Sequence, residues 1–140
     1  MIPRARLEDV IEADIQRLID HGIREGRTLD FKGAQTLTRD GMLTSDERSK
    51  LAEDVCAFAN AYGGDLVIGV ETFGKSEGDS AVAKAIAPVL VDNLDATLLE
   101  LVSSLRDALE PQLATLQAKP VPVATWWDDK SPWSAVQRTY

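Results

Sequence analysis

Four side chains in this chain have types and spacing suited to chemistry: Glu25, Asp30, Lys32 and Glu71. Asp30 and Lys32 lie two apart in Thr28-Leu29-Asp30-Phe31-Lys32, where polar residues alternate with Leu29 and Phe31. That alternation predicts a short half-buried strand whose open face carries a carboxylate beside an ammonium. Glu25 precedes it in a turn. Glu71 closes the run Leu66-Val67-Ile68-Gly69-Val70, which is too short for a helix and apolar on both faces, as a covered central strand is. Alternation along it puts Asp65, Gly69 and Glu71 on one face. A glycine inside a strand often marks close approach by a ligand or another backbone, so the exit of this strand is a place to look for a site. The plainer alternative makes Glu25 and Glu71 solvated turn carboxylates and pairs Asp30 with Lys32 or an arginine.

The other reactive groups are isolated. Cys56 falls within a helical segment and reads as a core or semi-buried thiol, and the single histidine, His21, sits where it complements a helix dipole. Neither has a partner for nucleophilic catalysis.

The elements that position these residues follow from periodicity. Leu7, Val10, Ile11, Ile15, Leu18 and Ile19 recur at three- and four-residue steps, predicting an amphipathic helix that ends at Gly22. After the Thr28–Lys32 strand, residues 33–43 are polar and glycine-flanked. Thr44 and Glu47 stand at capping-box spacing and open a helix over 45–62, with Leu51, Val55, Phe58, Ala59 and Tyr62 on one face. Gly63-Gly64 stops it, because glycine takes positive φ without a Cβ clash.

Residues 72–80 are loop by composition, with glycines too scattered for a phosphate-cradling loop. Residues 81–91 fit either a short helix or a strand, with Pro88 against a long helix. Asp92 or Asn93 caps a helix whose stripe is Leu94, Leu98, Leu101, Leu105 and Leu109, ending by Pro111. Lys119–Trp126 reads as a strand that Pro120 and Pro122 push to a sheet edge. Asp128–Pro132 turns the chain, and Trp133–Tyr140 returns as a last strand. The expected fold class is α+β, a mixed sheet covered by helices, as a single domain over 1–140. The chain stops within a strand-like segment, as a C-terminally truncated piece would.

Composition narrows the function classes. The apolar share of 44% and charged share of 27% are those of an ordinary globular domain. No run approaches the roughly 18 apolar residues of a membrane span, and the N-terminus lacks a signal-peptide core. A single cysteine fits a reducing cytoplasmic setting. The net charge of −8 is uneven: residues 1–50 hold 9 Lys/Arg against 10 Asp/Glu, and residues 51–140 hold 6 against 13. The acidic second half argues against a generic nucleic-acid binder. The first half still offers local basic residues, including Arg24, Arg27 and Lys32.

Three segments in order carry a resemblance: Glu25-Gly26-Arg27-Thr28-Leu29-Asp30-Phe31-Lys32, Ala57-Phe58-Ala59-Asn60-Ala61-Tyr62-Gly63-Gly64, and Leu66-Val67-Ile68-Gly69-Val70-Glu71. Together they resemble the Schlafen/AlbA-like domain family, with its Glu-Ser/Gly-x-x-Leu/Val-Glu-Phe-Lys strand, Ala-Phe-Ala-Asn-Thr-x-Gly-Gly segment and strand ending Gly-Val-Asp. Residues 94–140 match more loosely, and Ser131-Pro132-Trp133-Ser134-Ala135-Val136 is similar to the family's Pro-His-Ala-Val region without its histidine.

The resemblance implies a nucleic-acid-binding module of a kind frequent in bacterial proteins that also carry regulator or ATPase regions. In its Schlafen branch it implies a metal-dependent endoribonuclease built on three carboxylates, which fall here on Glu25, Asp30 and Glu71. Asp30 stands where the family usually has Glu, and Glu71 where it usually has Asp. Each swap displaces the charge by about one methylene, and catalysis tolerates misplacements of about 1 Å poorly. Such a site would hold Mg²⁺ or Mn²⁺ on the three carboxylates and use the ion to activate water and polarise a phosphate. Lys32 would stabilise the developing charge. Arg24, Arg27 and Lys32 would contact RNA or DNA.

The competing expectation is a non-catalytic protein-interaction, regulatory or oligomerisation module. It would act through the C-terminal edge, where Trp126, Trp127, Trp133 and Tyr140 cluster among prolines; those aromatics are read as core or interface ahead of base stacking.

Overall fold

A computed structural model describes residues 2, 6–33, 44–60, 63–73, 81–87, 89, 93–109, 116–122 and 133–139. The chain opens with a 3-10 turn, Leu7–Asp9, followed by α1 (Glu12–Asp20) and β1 (Leu29–Lys32). Then come α2 (Ser45–Asn60), β2 (Gly64–Ile68), β3 (Val70–Thr72), β4 (Ala83–Ile86), α3 (Leu94–Ala108), β5 (Gln117–Pro122) and β6 (Trp133–Thr139). The main sheet runs β1-β2-β6-β5, and β3 and β4 form a separate two-stranded sheet. β1 and β2 are parallel, while β6 is antiparallel to β2 and to β5. The α+β class and mixed sheet therefore agree with the sequence analysis.

Parallel β1 and β2 need a crossover, and α2 supplies it, packing on one face of the sheet. Leu66 and Ile68 of β2 meet Leu51, Val55 and Phe58 of α2 and Leu101 and Leu105 of α3 in one core. Val67, pointing the other way, joins Leu29 and Phe31 of β1, Ile15 and Leu18 of α1, and Val70 in a second core. The sheet is thus covered on both sides, as the doubly apolar β2 run requires. The approach of α2 to β2 is close: a Cβ on Gly64 would stand 2.7 Å from the Phe58 ring.

Two expectations are corrected by the structure. The N-terminal helix is interrupted: Val10 has extended ψ, and α1 begins after Ile11, whose N–H donates to the Asp14 carboxylate at 3.0 Å. The Lys119 ammonium reaches across from β5 to the carbonyls of Glu8 and Val10, fixing this break.

The Leu66–Glu71 run is not one strand. Gly69, at φ 98°, turns the chain from one sheet to the other, with its N–H on the Lys32 carbonyl and its carbonyl accepting from Ala87, both at 2.8 Å. Only glycine takes that φ without strain, and the turn ends the side-chain alternation that had placed Asp65 and Glu71 on one face. Asp65 is instead fully buried, accepting a 2.6 Å bond from the Ile2 N–H.

Residues 83–86 resolve as a strand. β5, with its two prolines, is an edge strand, while β6 lies inside the sheet. Of the expected C-terminal contact surface, Trp126, Trp127 and Tyr140 lie outside the described residues, while Trp133 opens β6. No helix among the described residues is long and apolar enough to cross a membrane.

Candidate functional site

β1 places its chemistry by parity. Leu29 and Phe31 are buried in the second core, so Asp30 and Lys32 face the side of the sheet that α2 covers. That face is not open: the Lys32 and Asp30 side chains are 24% and 17% exposed. Lys32 Nζ lies 3.1 Å from Asp30 Oδ2 and 2.9 Å from Asp54 Oδ2. Both contacts are ion pairs made off the ideal N–H direction, since neither Oδ2 has a well-aligned hydrogen-bond donor.

Glu25 enters from the preceding turn, which closes through the Gly26 N–H on the Leu29 carbonyl. Its Oε1 accepts from the Phe31 N–H at 3.1 Å, satisfying a backbone donor on the edge of β1 away from β2, where no strand among the described residues pairs. Glu25 is accordingly half-buried and structural in part. It also stands close enough to Asp30 to raise that carboxyl's pKa.

The electrostatics follow from this crowding. Burial, then the contact with Glu25, raises the Asp30 carboxyl above its usual range, against the opposing pull of Lys32. Burial likewise raises Asp54; Lys32 opposes that shift and the charge on Asp30 adds to it. For Lys32, burial favours the neutral form, but the contacts with Asp54 and Asp30 outweigh it and raise its pKa. The cluster is one lysine held among carboxylates that share too little water.

Asp54 was missed in the sequence. It falls at the third step of Leu51-Asp54-Val55-Phe58, a carboxylate set within an apolar helical stripe. A charge on the core face of a helix needs a partner, and the polar face of β1 supplies it through Lys32.

Glu71 is not brought into this cluster. It is exposed on β3 and lines a separate cleft with Phe31, Gly33 and Lys84. Among the described residues, no group of three His, Cys, Asp or Glu side chains is placed to hold a metal ion. The position between Asp30 and Asp54 is filled by the Lys32 ammonium, which supplies the positive charge there. These residues as arranged therefore do not fit a divalent cation.

Arg24 and Arg27 are exposed on the turn before β1. Arg27 borders a cavity of about 390 Å³ whose lining also includes Glu25, Asp30, Asp54 and Phe58. Arg24 faces a second cavity, of about 420 Å³, against α1. Gly26 lines both, so the turn separates two neighbouring hollows.

The family described as Schlafen, AlbA_2 matches residues 25–125, which span β1 through β5 and include the whole Lys32 cluster. Among solved structures, the chain is similar to the N-terminal domain of an ATP-dependent DNA helicase RecG-related protein from Nitrosomonas europaea. The TM-score is 0.52 at 20% identity, over 89% of this chain and 69% of that one. At that identity the likeness supports the fold alone. No curated protein matches the chain.

Proposed function

The chain belongs to the Schlafen/AlbA_2 family, and from that premise we propose that it is a nucleic-acid-binding domain whose contact surface is the turn before β1. The observation that carries this reading is the pair of exposed arginines, Arg24 and Arg27, each bordering one of two adjoining cavities on that turn. The similar Nitrosomonas europaea domain comes from a protein described as related to a DNA helicase, which accords with the reading. Lys32 is committed to Asp30 and Asp54, so its role is to neutralise the carboxylates beneath the turn and keep them from repelling phosphate. The surface is small and the chain carries a net charge of −8, so binding rests on few phosphate contacts.

Metal-dependent RNA cleavage through Glu25, Asp30, Lys32 and Glu71 is the finer version. What favours it is the crowding of Glu25 and Asp30, with burial and Glu25 both raising the Asp30 carboxyl above its usual range. The distance in the fold between Glu71 and that pair weighs against it, and Mg²⁺ or Mn²⁺ enters as a test condition.

The experiment is fluorescence anisotropy of labelled single-stranded RNA, duplex RNA and DNA against NaCl, with Mn²⁺ or EDTA. Each arginine engaged on phosphate contributes about −0.7 to −0.9 to the slope of log affinity against log salt. Arg24→Ala/Arg27→Ala should therefore flatten the slope by about 1.5. Binding by no nucleic acid at low salt would overturn the proposal. Intact probes with Mn²⁺ would leave a binding domain; metal-dependent cutting lost in Asp30→Ala would establish the nuclease.

A further inference from the structure

The larger hollow, against the end of α1, is distinct from the Lys32 cluster and is built differently. Buried Leu18 and Leu29 form an apolar floor, and Ile23 contributes a half-exposed wall. At the rim stand Arg17 and Arg24, with His21 beside them at the end of α1. Arg17 is positioned from within: Asp14, whose side chain is completely buried, receives one Arg17 N–H at 3.3 Å, while the arginine side chain stays 55% exposed. Since a guanidinium carries five N–H donors in a planar fork, the bond to Asp14 holds its place without using up the fork. Asp14 also accepts the Ile11 N–H, so the carboxylate that anchors Arg17 is itself held by the start of the same helix.

The lining sets the ligand chemistry. A volume of about 420 Å³ falls within the range of small-molecule sites. A simple anion would satisfy the arginines and leave the Leu18–Leu29 floor wet; a hydrocarbon would fill the floor and strip water from the rim cations. A flat ring carrying a phosphate suits both, because guanidinium pairs bidentately with phosphate and also stacks on aromatic rings. Thr28, half-buried, completes the lining beside Leu29.

We propose that this cavity binds one nucleotide unit, its base over Leu18 and Leu29 and its phosphate on Arg17 and Arg24. The unit is either a free mononucleotide or an unpaired nucleotide of a strand. The inference rests on the binding surface proposed above through the shared Arg24 and extends it to Arg17 and the apolar floor of a cavity that Arg27 does not line.

The test is two-dimensional amide NMR of the whole chain, titrated in turn with 5′-AMP, 5′-UMP, adenosine, inorganic phosphate and a short adenosine-rich RNA. Shifts are expected at Leu18, Ile23, Thr28 and Leu29 with either mononucleotide. Adenosine and inorganic phosphate should each bind about tenfold more weakly, as loss of one charge-assisted contact or of the ring contact predicts. Arg17→Gln, whose amide can still donate to Asp14, should weaken 5′-AMP by about tenfold, with resonances outside α1 and the cavity lining unmoved. Saturation by 5′-AMP as tight as by the RNA identifies a free nucleotide as the ligand; markedly tighter saturation by the RNA identifies a strand.

Phosphate binding as tightly as 5′-AMP, or no shift at the four lining residues with any probe, would overturn the inference. Arg27→Ala separates the two proposals. Strand binding lost in that variant with 5′-AMP shifts intact supports both. Absence of strand binding in the parent chain, with 5′-AMP shifts present, sinks the nucleic-acid surface alone.

Discussion

Replacing Lys32 by methionine isolates what the ammonium does, because methionine keeps the aliphatic length and removes the charge. Lys32 Nζ stands 3.1 Å from Asp30 and 2.9 Å from Asp54, and at an effective dielectric of about 20 each contact carries about 5 kcal/mol of attraction. The three side chains are 17–33% exposed, so solvent screening and the desolvation of three ions offset most of that, leaving about 2 kcal/mol net.

In the variant, Asp30 and Asp54 lose the Lys32 counter-charge, and their pKa values rise beyond the already raised positions. A carboxyl whose folded pKa is raised opposes folding at pH values above it, and that penalty lifts as pH falls through the folded value towards the unfolded one, 3.8 for aspartate. Urea unfolding followed by circular dichroism should thus show Lys32→Met destabilised by about 2 kcal/mol at neutral pH. For a chain of this size that is about 8 °C in Tm, and the difference should shrink as pH falls towards 4. A loss that is absent at neutral pH, or unchanged on acidification, would refute the cluster as described.

Four further outcomes follow from particular residues. Gly64→Ala drives a Cβ to 2.7 Å from the Phe58 ring and should cost about 1–3 kcal/mol in urea unfolding. Gly69→Ala, at φ 98°, should cost about 1–3 kcal/mol and shift the β3 amide resonances. Asn93 accepts the Ala96 N–H at 3.0 Å, so Asn93→Ala should lose about 1 kcal/mol and fray the start of α3 in hydrogen exchange. Glu71→Gln, outside the Lys32 cluster, should leave both stability and nucleic-acid affinity unchanged; a loss of RNA affinity on that substitution would place Glu71 at the contact surface.

Elements governed by local chemistry were legible in the sequence. The leucine stripe of α3 is buried at Leu101, Leu105 and Leu109, Gly22 and Gly63 hold positive φ at helix ends, and Pro120 and Pro122 lie on an edge strand. What escaped were features set at long range. The break at Val10 is fixed by Lys119, more than a hundred residues away, and no local pattern signals it.

Gly69 was singled out, but a close approach and a change of sheet leave the same mark on a sequence. The site divided along the same line. Asp30 and Lys32 were placed together by strand parity; Asp54 required knowing that α2 crosses over that face. The face read as open is covered, and so an ion pair expected at the surface became a partly buried cluster.

The central claim is that nucleic acid is held at the turn before β1, and crosslinking with 4-thiouridine-substituted RNA followed by peptide mass spectrometry tests it most directly. The account predicts crosslinks within residues 17–32, spanning Arg17, Arg24 and Arg27, and their loss in Arg24→Ala/Arg27→Ala. Crosslinks confined to α3 or β5, or none in the parent chain, would contradict it.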